Sequence, residues 1–119
     1  MERIRFINHQ GKKILFIDFS DISADKALQG IATAKAIIAK QPPKSVLALT
    51  DATDARFNSD VKEALIEYAN HNRPFIKATC VVGIKGLQQI MLTGVSIITK
   101  RKFKVFKTIE EAKDWLVQQ

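Results

Sequence analysis

The stretch Ile14-Leu15-Phe16-Ile17-Asp18-Phe19 is apolar at nearly every position. It lacks the alternation of a strand that shows one face to water. A strand of this kind is covered on both faces, which is the situation in parallel sheets sandwiched by helices. Downstream, helix-period and strand-like segments alternate, as such a sheet requires.

Ahead of that stretch, Arg3-Ile4-Arg5-Phe6-Ile7-Asn8 alternates with period two, and His9-Gln10-Gly11 turns the chain into a hairpin. Ser23 is placed to cap a helix starting at Ala24. Along it Ala27, Leu28, Ile31, Ala34, Ile37 and Ile38 recur at helical spacing, and Pro42-Pro43 closes it. Residues 45–49 form a short buried strand. Residues 59–71 form an amphipathic helix with Val61, Ala64, Leu65 and Tyr68 inward and Lys62, Glu63 and Glu67 outward. A strand over 75–82, a helix over 87–98 and a short strand over 103–106 follow. Thr108-Ile109-Glu110-Glu111 reads as a capping box, with Ala112, Trp115 and Leu116 facing inward behind it. The order is β-β-α-β-α-β-α-β-α. This predicts an α/β fold with a mixed, mostly parallel sheet of four to five strands, the first strand antiparallel, and helices packed on it.

The chain has 119 residues, which sets the expectation of a single domain over 1–119. At 46% hydrophobic and 26% charged it can bury a core without staples. Cys80 is the only cysteine, so an intramolecular disulfide and a cysteine zinc cluster are both excluded. Apolar runs stop well short of the roughly 18 residues a membrane span needs, and no apolar leader opens the chain. A cytoplasmic, bacterial-type protein is expected. The net charge of +7 leaves nucleic acid, anionic membranes and acidic partners open.

Polar chemistry concentrates after the third strand, in Thr50, Asp51, Thr53, Asp54, Arg56, Asn58 and Ser59. In α/β sheets such groups gather at the carboxyl ends of strands. Asn58 or Ser59 caps the next helix, and Asp60 complements its dipole. No histidine lies nearby in sequence, and no G-x-S-x-G or calcium-loop spacing occurs. The segment therefore reads as a recognition surface, without catalytic residues, metal ligands or a cofactor.

The strand, the "LTDATDARFNS" segment and the helix after it resemble the corresponding region of STAS domains of the anti-sigma-factor antagonist type. "VVGIKGLQQI" and "FKVFKTIEEAKDWL" are similar to a small bacterial branch described as STAS-like or CRAL-TRIO-like. The resemblance covers nearly the whole chain. It implies a non-enzymatic regulatory or protein-interaction module. In antagonists a serine at the start of this helix is phosphorylated, and Ser59 is the matching residue. The antagonist motif is an aspartate, two serines and a glycine, where this chain reads Asn58-Ser59-Asp60-Val61. The CRAL-TRIO-like likeness implies, as an alternative, a small apolar or lipid-like ligand.

Two further segments carry expectations. Gly83-Ile84-Lys85-Gly86 reads as a tight turn, without the spacing of a P-loop. The helix after it is greasy on more than one side, with Leu87, Ile90, Met91, Gly94, Val95 and Ile98 read as one apolar face. With Ile84, Leu87, Met91, Leu92, Lys100, Arg101 and Lys102 it suggests an interaction surface, for a partner or for a homodimer. The basic run over 100–107, interleaved with Phe103 and Phe106, gives a third alternative, weak nucleic-acid binding. His9 and His71 are isolated, and Cys80 reads as a small core residue.

Overall fold

The computed structural model describes residues 2–101 and 103–119, apart from the side chain of Leu87. Lys102 and the Leu87 side chain, both expected in the interaction surface, lie outside the described residues. The elements are β1 (Ile4–His9), β2 (Lys12–Asp18), α1 (Ala24–Ile38), β3 (Val46–Asp51), α2 (Ser59–Asn72), β4 (Ile76–Val82), α3 (Leu87–Thr99), β5 (Lys104–Phe106) and α4 (Ile109–Leu116). They follow the expected order.

One five-stranded sheet runs β1-β2-β3-β4-β5. β1 is antiparallel to β2, and every other neighbouring pair is parallel. Each crossover advances by one strand in the same direction. Right-handed crossovers then place α1, α2 and α3 on one face, and α4 covers the other. The two faces divide the strand residues by parity. On β2, Leu15 and Ile17 join the core under the three helices, whereas Ile14 and Phe16 join the core under α4. On β3, Val46 and Ala48 face the first core, and Leu47 and Leu49 the second. This double coverage explains the unbroken apolar run of β2.

The caps act where the sequence sets them. Ser23 accepts the Lys26 amide at 3.3 Å, and Thr108 accepts the Glu111 amide at 3.2 Å. The reciprocal half of the capping box differs from expectation. Glu111 takes the Thr108 hydroxyl at 3.0 Å rather than the Thr108 backbone amide. Cys80 is fully buried, and burial pushes its thiol up to about 12, which leaves it inert at neutral pH.

Three expectations are corrected by packing. β3 runs two residues further than 45–49, because Thr50 pairs with Ile17 and Val81, and Asp51 with Asp18 and Val82. Lys62 is half-buried, since Gly94 on α3 leaves room for its aliphatic stem. The face of α3 is also rotated from the one expected. Val95 and Thr99 turn inward at 2% and 3% exposure, while Ile90 and Ile97 stand outward at 69% and 72%. A helix apolar all round does not reveal by hydropathy which side meets the sheet.

Candidate functional site

Asp18 and Asp51 end adjacent parallel strands and are paired in register. Each closes the same turn. Asp18 Oδ1 accepts the Ser20 amide at 3.0 Å and its hydroxyl at 2.6 Å. Asp51 Oδ1 accepts the Thr53 amide at 3.0 Å and its hydroxyl at 2.6 Å. Short polar side chains favour such local bonds, and here they fix two neighbouring loops alike.

The loops are also joined through their backbones. Phe19 N–H donates to Asp51 O at 2.8 Å and Asp21 N–H to Thr53 O at 2.9 Å. Ala52 N–H reaches Val82 O, and Arg56 N–H reaches Ile22 O, each at 2.9 Å. Ala52 and Ala55 are buried anchors between the exposed positions. Gly83 presses against Thr53 from the β4 side. A Cβ there would lie 2.2 Å from Thr53 Oγ1 and 2.7 Å from its backbone.

This scaffold leaves Thr53, Asp54, Arg56, Asn58 and Ser59 exposed along one rim of the sheet. Thr50 and Asp51 belong to the strand instead. Thr50 turns toward the three-helix face, and Asp51 is half-buried beneath its loop. Asp54 Oδ1 lies 3.9 Å from Lys85 Nζ, an exposed pair of little energetic weight. Asn58 is the cap of α2: its Oδ1 accepts the Val61 amide at 3.0 Å. Ser59 opens the helix with its hydroxyl in no bond among those of the described residues. Asn58→Ala is expected to cost about 1 kcal/mol in urea unfolding. A loss under about 0.3 kcal/mol would show that the helix start is held by other groups.

Both histidines lie at the other end of the sheet. His9 Nε2 sits 2.8 Å from Asp114 Oδ1, and His71 Nδ1 is 3.2 Å from Asn72 Oδ1. Among the described residues no three His, Cys, Asp or Glu side chains group as metal ligands.

Between α2, α3 and the sheet lies an apolar cavity of about 80 Å³. Phe57, Leu65, Met91, Leu92 and Val95 line it, together with Ile84 and Thr50. Met91 and Leu92, expected on an outer surface, thus face inward, because the side of α3 that carries them meets α2 and the sheet, and Ile84, in the turn before α3, faces in with them. The outer apolar residues of α3 are Ile90, Ile97 and Ile98. Gln88, which sequence reasoning missed, also faces in. Its Nε2 donates to Ala52 O at 3.2 Å and to Ala55 O, while its buried Oε1 has no partner among the described residues. A glutamine on the inward side of a greasy helix was the available signal. Burial holds the Tyr68 hydroxyl well above its usual range.

The expected basic patch divides as well. Lys100 is exposed in a left-handed backbone conformation, φ 57°, that ends α3. Arg101 is half-buried and donates to Ala69 O at 2.8 Å, with its guanidinium 5.6 Å from the Phe103 ring centre.

No family model matches the chain, and no curated protein matches it in sequence. Among the described residues no helix is long and apolar enough to cross a membrane. An uncharacterized protein of the DUF3478 family with a SpoIIAA-like fold, from Shewanella loihica, has a similar structure. It superposes with a TM-score of 0.71 over 95% of this chain and 91% of its own, at 18% identity. The sheet order, the antiparallel first strand and the three-and-one distribution of helices make this a SpoIIAA-like, STAS-like fold.

Proposed function

We propose that this chain is a non-catalytic regulatory module of STAS type that recognises a protein partner through the rim at Thr53, Asp54, Arg56, Asn58 and Ser59. Thr50 and Asp51 support that rim from within the sheet. The row of backbone bonds joining the loops after β2, β3 and β4 carries this reading. It fixes a polar surface before any partner arrives, so little conformational entropy is lost on binding. Asp54 and Arg56 set one acid and one base among neutral polar groups along it, which favours discrimination between partners. A phosphate on Ser59 would be attracted by the free amides of the α2 N-terminus and repelled by the like charge of Asp60, giving a local switch.

A photo-crosslinking residue placed at 56 tests this in extracts of the native cell. One discrete protein adduct, lost when Ser59 is replaced by Asp and absent when the crosslinker sits at 33 on α1, is expected. Equal protein adducts from 56 and 33, or none from 56, would overturn the reading.

The cavity favours a second reading, a small apolar ligand with one donor group directed at Gln88 Oε1. Native mass spectrometry of the untreated protein should then show a bound mass that Leu92→Trp removes. An unliganded spectrum in both proteins would count against it. The exposed isoleucines of α3 support self-association, which the same spectra report as a dimer sensitive to Ile97→Asp.

A further inference from the structure

The rim at the start of the parallel strands differs in charge from the one already described. Two shallow depressions meet there at Lys77. The first, beside the hairpin, is lined by Lys12, Lys13 and Lys77. The second is lined by Lys44, Arg73, Arg101 and Lys104, again with Lys77. Among the described residues no aspartate or glutamate side chain lines either one, and Gln119 closes the second. The ion pairs of the described residues, Arg3–Asp18, Lys35–Glu67, Lys85–Asp54, Lys113–Glu110 and His9–Asp114, use none of these seven cations.

Two of the cations are held in place. Arg73, which follows α2, donates to Thr99 O at the end of α3, and Arg101, which follows α3, donates to Ala69 O near the end of α2. Each guanidinium therefore satisfies a terminal carbonyl of the other helix, and the two are brought side by side. Burial and the neighbouring Arg73 charge lower the Arg101 pKa, as expected for like charges held close together. Capping spends one donor of each fork and leaves others free. Each depression also carries an aromatic ring. Phe6 is 38% exposed with Lys13 Nζ 4.3 Å from its centre, and Trp115 is half-buried against Phe106.

We infer that this rim binds single-stranded nucleic acid. An extended row of cations matches a phosphate backbone, and rings set among them give unpaired bases a surface for stacking. Concave depressions with rings favour a single strand over a stiff duplex. The outward isoleucines that a bilayer would take up belong to α3 and do not line the rim. The inference stands apart from the partner-binding rim and survives its failure.

The test is fluorescence anisotropy with labelled oligothymidylate and oligouridylate of about 20 nucleotides, read alongside the emission of Trp115, the only tryptophan. Binding at about 50 mM salt should weaken about 50-fold by about 200 mM, as four phosphate contacts on a single strand require. Trp115 emission should fall on binding. Lys77→Glu and Lys104→Glu should each cost at least about tenfold, and Lys26→Glu on α1 should stay within about twofold. Both charge reversals fall on exposed side chains, so circular dichroism should be unchanged. No binding at low salt would overturn the inference, as would an equal loss in Lys26→Glu. So would polyglutamate competing as well as the oligonucleotide, or sedimentation with phosphatidylserine vesicles in place of oligonucleotide binding.

Discussion

Leu49→Ala should lower the unfolding free energy by about 3 kcal/mol. Leu49 is wholly buried on the central strand, paired in register with Phe16 of β2 and Cys80 of β4, in the core that includes Leu116 of α4. Sheet neighbours on both sides keep the backbone from collapsing into the space left behind, so transfer and cavity costs add. With a urea m-value of about 1.5 kcal/mol/M, the midpoint should fall by about 2 M at unchanged slope. A fall under about 0.5 M would mean that α4 settles into the gap and holds the sheet more loosely than its packing implies.

Gly83→Ala should be nearly as damaging, at about 3 kcal/mol, for a different reason. The residue has φ +79°, which L side chains rarely adopt, and its added methyl would collide with backbone atoms of Thr53 rather than with a flexible chain end. Relief requires moving the loop after β3 away from the loop after β4. The variant should therefore lose both stability and the crosslink at 56. Gly11, equally left-handed at φ +80° but with open space around it, provides the comparison: Gly11→Ala should cost only about 1 kcal/mol. Equal costs at the two glycines would remove the close approach as the cause.

What the sequence made legible was whatever depends on local pattern. Asn58, Ser23 and Thr108 cap because short side-chain oxygens at those positions meet free amides one turn on. The doubly apolar β2 predicted coverage on both faces, and the alternation of segments predicted the parallel order. The rim was legible as a cluster, but its stiffness was not, since the bonds from Phe19 to Asp51 and from Arg56 to Ile22 join loops far apart in sequence. Thr50 and Asp51 read as loop because Thr and Asp suit turns, yet pairing with both neighbouring strands keeps them in the sheet. The cavity arises where α2 and α3 stand off the sheet, and no single segment encodes that gap. Nor does any segment encode the basic rim. Its cations come from the hairpin, two helix ends, the loop before β3 and the starts of β4 and β5, and the run over 100–107 supplies only part of it.

Amide hydrogen exchange at the rim is the most direct measurement of the central claim, that its polar groups stand on a fixed junction. The amides of Phe19, Asp21, Ala52 and Arg56 should exchange nearly as slowly as those of β3, and far more slowly than the amide of Gly11 in the hairpin turn. Exchange of those four at the rate of the hairpin turn would contradict it, because the side chains from Thr53 to Ser59 would then have no rigid frame from which to recognise anything.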